Sequence, residues 1–306
     1  MQVFDGVAFA SEIEMVLTDE VSQLREDGKT PTIGALLFAE DEGSRLYTRL
    51  KKEAADRVGI MYRVFEQTLD DTVETLQAKI TELNTDPTIT GIIVQKPRRS
   101  TWVRAVQTQP FHSNKAEQAA FQSWWRSLTT MIAAQKDVDG LRPATLEAIW
   151  QGDWKQQGLV LPATCQAVLD ILEYAQVLPS HVERSVNILV IGRSDILGLP
   201  LSFELQHREC RVLNVGSTGY QDLLDTGQGL RSFDVVVSAT GKKHLLNQAA
   251  NLKKGVVLVD VGEPSPDIDR TAVAPVASFL TPVPGGVGPV TVVSLLQNVV
   301  QLCGND

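Results

Sequence analysis

The apolar positions of this chain switch repeatedly between two periods. Residues 6–27 carry Val7, Ile13, Val16, Leu17, Val21 and Leu24 at helical spacing, and a break at Gly28 and Pro31 follows. TIGALLF (32–38) is a continuous apolar run, suited to a strand buried on both faces. Residues 44–59 are helical again, with Ser44 as the expected N-cap and Gly59 as the C-cap. MYRVFEQ (61–67) alternates as a strand, TVETLQAKITELNTD (72–86) is helical, and TGIIVQKP (90–97) is a short apolar strand ended by Pro97. Strands and helices in this order predict βαβ units, and hence a mostly parallel sheet with right-handed crossovers.

A second alternating region begins at SVNILVIGRSDILGLPLSFELQ (185–206), which reads as strand, glycine turn and helix. CRVLNVGS, FDVVVSATG and GVVLVDVG supply three more short strands, and VVSLLQNVVQL (292–302) closes the chain as an apolar helix. Between the two regions, residues 98–135 differ in character. Arg98, Arg99, Arg104, Lys115 and Arg126 stand there against the single acid Glu117, together with Trp102, Trp124 and Trp125. From Ala116 to Ala134, Phe121, Trp124, Leu128, Met131 and Ile132 share a helical face, as in a surface helix packed on its domain.

The length, 306 residues, lies just past the size at which a single core usually divides, so two domains are expected. The net charge of −9 argues against a general affinity for nucleic acid or for an anionic membrane. Three widely spaced cysteines (Cys165, Cys210, Cys303) without a CxxC pair read as reduced thiols. The acidic N-terminus is unlike a signal peptide, and no apolar run is expected to span a membrane. These features predict a soluble, cytoplasmic protein.

Four stretches carry candidate chemistry. The turn GRSDILGLP (192–200) follows a strand and opens a helix, which directs backbone N–H groups and a helix N-terminus at an anion. The same pattern also serves as a plain tight turn. Arg193 beside it suits a phosphate, since a guanidinium meets phosphate oxygens in pairs; a solvated arginine is the alternative. Tyr47 and Lys51, four apart on one helix, share a face. Such a pair stacks on a flat ligand and moves a proton if the lysine is tuned by its surroundings, although an ordinary solvated lysine fits the spacing equally. Asp137 and Asp139 in KDVDG (136–140) offer carboxylates to a nitrogen-rich ring. They are too few for a metal, and His112, His181, His207 and His244 are scattered, so no metal site is expected. PVPGGVGPVT (282–291) is a rigid loop of special backbone angles, beside a ligand or another backbone.

In this order, YxxxK, GIIVQxP, KDVDG, GRSx5P, a strand running into DVG, and TPVPGGVGP resemble one family, the bifunctional methylenetetrahydrofolate dehydrogenase/methenyltetrahydrofolate cyclohydrolases. The resemblance spans nearly the whole chain. It implies an α/β protein of two domains with a cleft between them. Residues 1–148 plus 284–306 would form an αβα folate domain, and residues 149–283 a Rossmann-like nucleotide domain.

The implied activity is oxidation of 5,10-methylenetetrahydrofolate with NADP (NAD being possible), then hydrolysis of the methenyl product to 10-formyltetrahydrofolate. That places the chain in one-carbon metabolism and purine biosynthesis, with tetrahydrofolate derivatives as ligands and a homodimer as its assembly. Lys51 would be the essential cyclohydrolase group, with Tyr47, Gln95 and Asp139 completing the catalytic set. Tyr47, Ser44, Asp139, Pro284, Gly285 and Gly286 would bind folate. Gly192, Arg193, Ser194, Ser217, Thr240, Gly241, Gly286 and Gly288 would bind the cofactor.

This sequence departs from the family pattern at several points. VQKPRR stands where VQLPLP is usual, which suggests that Arg98 and Arg99 hold the acidic tail of folate, with a solvated face as the plain alternative. PATCQA (162–167) replaces PCTPxG, and the residue after Ser217, usually basic, is Thr218. A monofunctional cyclohydrolase and a non-catalytic folate- or nucleotide-binding protein are the competing readings.

Overall fold

The computed structural model describes residues 1–106, 111–182, 185–225 and 229–304. The chain forms two compact α/β units, in keeping with the expected fold class. One comprises Met1–Ile13, Ala148–Asp153 and Leu161–Ser294, the other Glu14–Glu147, Trp154–Val160 and Leu295–Asp306. Compared with the boundaries expected at 148/149 and 283/284, the first thirteen residues and residues 284–294 group with the nucleotide-type unit.

The N-terminal elements are β1 (Gln2–Val3), α1 (Gly6–Glu26), β2 (Thr32–Phe38), α2 (Glu42–Val58), β3 (Met61–Gln67), α3 (Val73–Thr85) and β4 (Gly91–Val94). Strands β3, β2 and β4 lie side by side in that order, all parallel, and every residue of β2 is buried. A strand sandwiched between layers can afford no polar face, which is why TIGALLF is apolar throughout.

The cap of α2 is Asp41 rather than Ser44. Its carboxylate accepts from the backbone N–H and the hydroxyl of Ser44, three residues on, and from the hydroxyl of Thr101. Gly59 closes the helix at φ 84°, a left-handed angle that suits glycine. The apolar stripe of α1 is narrower than its spacing predicts: Leu17 and Val21 are buried, whereas Val7 and Val16 are exposed.

The basic, tryptophan-rich stretch forms α4 (Arg99–Val106) and α5 (Asn114–Thr129); residues 107–110 of that stretch lie outside the described residues. Trp102, Phe121, Trp125, Leu128 and Ile132 are buried in one core with Phe38 and Ile80, while Met131, beyond the end of α5, is exposed. Lys96 lies over the rings of Trp125 and Phe121, 5.1 and 5.7 Å from their centroids, a cation–π arrangement. Arg98 faces Asp41 at 3.7 Å and Arg99 faces Glu117 at 3.0 Å. The aromatic residues are therefore core, and the two arginines offered above to an acidic folate tail already face carboxylates of this chain.

The remaining elements are α6 (Pro143–Gln151), α7 (Ala163–Tyr174), β5 (Asn187–Ile191), α8 (Gly198–His207), β6 (Arg211–Val215), α9 (Ser217–Asp225), β7 (Val235–Ser238), β8 (Val256–Asp260), α10 (Arg270–Val273), β9 (Ala277–Leu280) and α11 (Val287–Gly304). They build a six-stranded parallel sheet in the order β1-β9-β8-β7-β5-β6. From β5 the chain crosses first to β6 on one side and then to β7 on the other. That reversal opens a crevice at the carboxyl ends of β5 and β7, the place where doubly wound sheets hold their ligands.

Contrary to the expectation that no apolar run would suffice, α11 is long and apolar enough by length and composition to cross a membrane. It is 56% buried within the protein, as a core helix is. Cys165, Cys210 and Cys303 are all buried free thiols.

Candidate active site

In the three-stranded unit, α2 carries Tyr47 and Lys51 one helical turn apart, and Gln95 follows directly on β4. The Gln95 N–H continues the sheet by donating to the Leu36 carbonyl, which fixes its side chain at the strand end. Lys51 Nζ donates to Gln95 Oε1 at 2.9 Å and lies 3.8 Å from Asp139 Oδ2. The side chains of Lys51 and Asp139 are 12% and 20% exposed, so the ammonium and carboxylate are shielded yet open to a ligand. Three of the four expected catalytic residues thus meet directly. Tyr47 is half-buried on the same helix, and Ser44 is buried with its hydroxyl donating to Asp41.

KDVDG is held from every side. Lys136 Nζ donates to the carbonyls of Leu83 and Asp86 at the end of α3. Asp137 accepts from the N–H groups of Leu141 and Arg142 and from the Thr145 hydroxyl. Burial pushes the Asp137 carboxyl upward, against these three donors and with the charge of Asp139 adding to the rise. Val138 fills a notch left by Gly91, where a Cβ would collide with it, and its carbonyl accepts from Asn298 of α11. Gly140 takes φ 61°. Of the two aspartates, Asp137 ties the loop and Asp139 faces Lys51.

Tyr62 of β3, not singled out in the sequence, is buried in this unit, and its hydroxyl has no hydrogen-bond partner among the described residues. Burial, and next the charge of Asp139, push that hydroxyl far above the ordinary tyrosine range.

In the six-stranded unit, Gly192, Arg193 and Ser194 follow β5, Ser217 follows β6 and starts α9, and Thr240 and Gly241 follow β7. Gly192 adopts φ 129°, and a Cβ there would meet the Ala239 carbonyl oxygen at 2.6 Å. A Cβ on Gly198 would collide with the Gly192 carbonyl. The two glycines therefore let β5, β7 and α8 close into a bare backbone cradle. Helix α8 begins there with no cap from Leu197, and its first N–H, that of Gly198, donates to Ser194 Oγ at 3.4 Å.

Thr240 donates through both its N–H and its hydroxyl to Asp267 Oδ2, which also accepts from Ser238. Asp267 is in turn held through its N–H by Asp260, and Asp260 accepts from the N–H groups of Gly262 and Ile268 as well. These buried carboxylates position the cradle from behind. Pro284 is exposed after a cis peptide bond, Gly285 takes φ 93°, and its carbonyl accepts from the Gly6 N–H. Gly286 is buried where a Cβ would strike the Pro282 carbonyl, and Gly288 stands open in the first turn of α11. Among the described residues no group of three or more His, Cys, Asp or Glu is arranged to hold a metal.

Two family models account for most of the chain. Residues 4–109 match the tetrahydrofolate dehydrogenase/cyclohydrolase catalytic domain, and residues 162–306 match the NAD(P)-binding domain of the same family. The chain belongs to this family. It is 34% identical over 307 residues to the bifunctional protein FolD of Lactobacillus gasseri, covering 98% of this chain and 97% of the relative. With FolD of Geobacillus thermodenitrificans the identity is 33%, covering 98% and 96%.

Among solved structures, the bifunctional FolD of Campylobacter jejuni is similar with a TM-score of 0.80 at 27% identity, covering 100% of this chain and 99% of that one. The Trypanosoma brucei methylenetetrahydrofolate dehydrogenase-cyclohydrolase, complexed with NADP and an inhibitor, gives 0.79 at 28%, covering 99% and 97%.

The cradle at Gly192 and Gly198 fits the NAD(P) of a tetrahydrofolate dehydrogenase/cyclohydrolase. It offers a strand-to-helix turn and a helix start to a pyrophosphate, and a Cβ at either glycine would force the turn apart by meeting the carbonyl of Ala239 or of Gly192. Asp260 stands in the DVG motif quoted above, without a role there, and sequence reasoning missed Asp267 behind it. The first of the two acids in PDID (266–269), shortly after DVG, was the only local signal for Asp267. Lys242 Nζ lies 2.9 Å from Ser217 Oγ, a pairing that no local pattern announces.

Proposed function

We propose that this family member oxidises 5,10-methylenetetrahydrofolate with NADP to the 5,10-methenyl cation and adds water to that cation, giving 10-formyltetrahydrofolate and a proton. The observation that carries this reading is the contact of Lys51 with Gln95 and Asp139, at 2.9 and 3.8 Å, in a chain 34% identical to a bifunctional FolD along its length. When bound, the nicotinamide accepts the hydride; the chemistry of that transfer belongs to the cofactor.

The chain's own residues bind, orient and move protons. Asp139 is the carboxylate placed to accept hydrogen bonds from the N–H groups of the pterin, and Tyr47 offers an aromatic face to the folate. Lys51 is the proton-transfer group of the hydrolytic step. Its ammonium is oriented by the Gln95 carbonyl oxygen, which accepts one of its three N–H donors and leaves the others for water and substrate. Backbone N–H groups at Gly192–Ser194 and the start of α8 hold the cofactor phosphates, and the Pro284–Gly288 loop supplies ligand contacts.

We also propose that the chain works as a homodimer in the cytoplasm. The family resemblance supports the dimer, and three buried free thiols suit a reducing compartment.

An absorbance assay tests the activity. Purified protein given methylenetetrahydrofolate and NADP is expected to form NADPH, and protein given methenyltetrahydrofolate to hydrolyse it faster than buffer alone. NADPH formation without faster hydrolysis would leave only a dehydrogenase, and neither signal would overturn the reading.

A further inference from the structure

We propose that Tyr62 is a positioning residue of the folate site: when substrate draws the Lys51 ammonium away, the Tyr62 hydroxyl donates to the Asp139 carboxylate and holds it ionised for the pterin ring. The proposal rests on the functional reading above and deepens it.

Sheet register brings Tyr62 to the loop that carries Asp139. Tyr62 of β3 pairs with Ile33 of β2, and Ile33 pairs with Gly91 of β4. Residues in register across parallel strands present their side chains to one face of the sheet. A Cβ on Gly91 would collide with the Val138 side chain, so KDVDG crosses this face. The opposite face belongs to α3 and the turn after it, since a Cβ on Gly34, the next residue of β2, would meet Leu83 and Ile89. Asp139, one residue past Val138, reaches α2, where its Oδ2 lies 3.8 Å from Lys51 Nζ.

The hydroxyl of Tyr62 is not explained by packing. The residue is 6% exposed, and its oxygen has no hydrogen-bond partner among the described residues. A buried hydroxyl without a partner is unfavourable, and phenylalanine would fill the same inward position of an alternating strand without that penalty. Burial, and next the charge of Asp139, keep the phenol protonated far above the ordinary tyrosine range. The group is therefore a standing donor, and the anion whose charge it feels is Asp139.

The work of Lys51 creates the use for that donor. Lys51 Nζ is hydrogen-bonded to Gln95 and stands beyond hydrogen-bond reach of Asp139, so it favours the carboxylate by charge alone. The titratable groups facing Asp139 include Lys51 from α2, Tyr62 from β3 and, on its own loop, the buried Asp137. When the Lys51 ammonium turns to the substrate, its support for the Asp139 charge weakens, while Asp137 opposes that charge. A hydrogen bond from Tyr62 to the ionised carboxyl offsets the change. A carboxylate has about four lone-pair sites, enough for the pterin N–H groups and the phenol together.

Titration calorimetry with tetrahydrofolate, run under reducing conditions across the acid-to-neutral range, tests this without turnover. Near neutral pH, Tyr62→Phe is expected to bind about 10-fold more weakly than the wild type, the worth of one hydrogen bond to a charged group. The gap should close as the pH falls and Asp139 takes up a proton, because a neutral carboxyl gains little from the phenol; titration of the ligand itself is common to both proteins. In an Asp139→Asn background, Tyr62→Phe should change the affinity little, as for two residues that act through one another. The melting temperature of ligand-free Tyr62→Phe should not fall below that of the wild type, since only an unpartnered hydroxyl is removed. Wild-type affinity in Tyr62→Phe, or a loss that is the same at every pH or in the Asp139→Asn background, would overturn the role of Tyr62 and leave the functional reading intact. Wild-type protein that does not bind tetrahydrofolate would overturn the functional reading, and the role of Tyr62 with it.

Discussion

Asp137 and Asp139 share one short turn and answer to different physics. Asp137 is 2% exposed and satisfies two backbone N–H groups and a threonine hydroxyl. Its removal strands three donors in the interior, each worth about 1–3 kcal/mol when left unpaired. Asp139 keeps a fifth of its side chain exposed and faces Lys51. Asp137→Ala is therefore expected to lower the melting temperature strongly and to lose activity by unfolding. Asp139→Asn should melt near the wild type yet lose substrate affinity and rate. Melting curves beside steady-state kinetics separate the two; a stable Asp137→Ala protein, or a collapsed Asp139→Asn protein, would contradict this division of roles.

At the scale of elements, the ends of β7 and β8 are braced by two buried acids. Burial lifts Asp260 to about 6 from an ordinary 3.8, against the N–H donors of Gly262, Ile268 and Asp267 and with the charge of Asp267 adding to the rise. A carboxyl whose folded pKa lies above its unfolded value holds its proton more tightly when folded. Its stabilising contribution is complete below about pH 4 and is lost as the pH rises through about 6, by at most about 3 kcal/mol. Denaturant titrations of wild type and Asp260→Asn from pH 4 to 7 should show the wild type's relative stability falling with pH; a constant difference would remove Asp260 as its source.

How much could be read in the sequence also divides by element. Strands β2 and β3 are legible residue for residue, because a buried run and an alternating run each carry their own period. Strand β1 is two residues long and exists by pairing with β9 near the other end of the chain, which no local pattern can show. The cap of α2 slipped from Ser44 to Asp41 because both residue types cap well, and only the fold shows which one accepts the N–H. The Lys51–Gln95–Asp139 cluster could be found through the family motifs. The Lys242–Ser217 pair joins a loop to the first residue of α9, 25 residues apart, and has no motif.

For the molecule as a whole, the arrangement separates hydrolytic chemistry from cofactor binding. Lys51, Gln95 and Asp139 belong to one compact unit, and the Gly192 cradle belongs to the other. A change confined to the Lys51 side chain should therefore abolish hydrolysis and spare the nucleotide site. The most direct measurement is methenyltetrahydrofolate hydrolysis by Lys51→Met, with NADP binding and melting temperature followed on the same sample. The account predicts hydrolysis no faster than in buffer, alongside wild-type NADP affinity and a melting temperature close to that of the wild type. Hydrolysis at the wild-type rate by a folded Lys51→Met protein would contradict it.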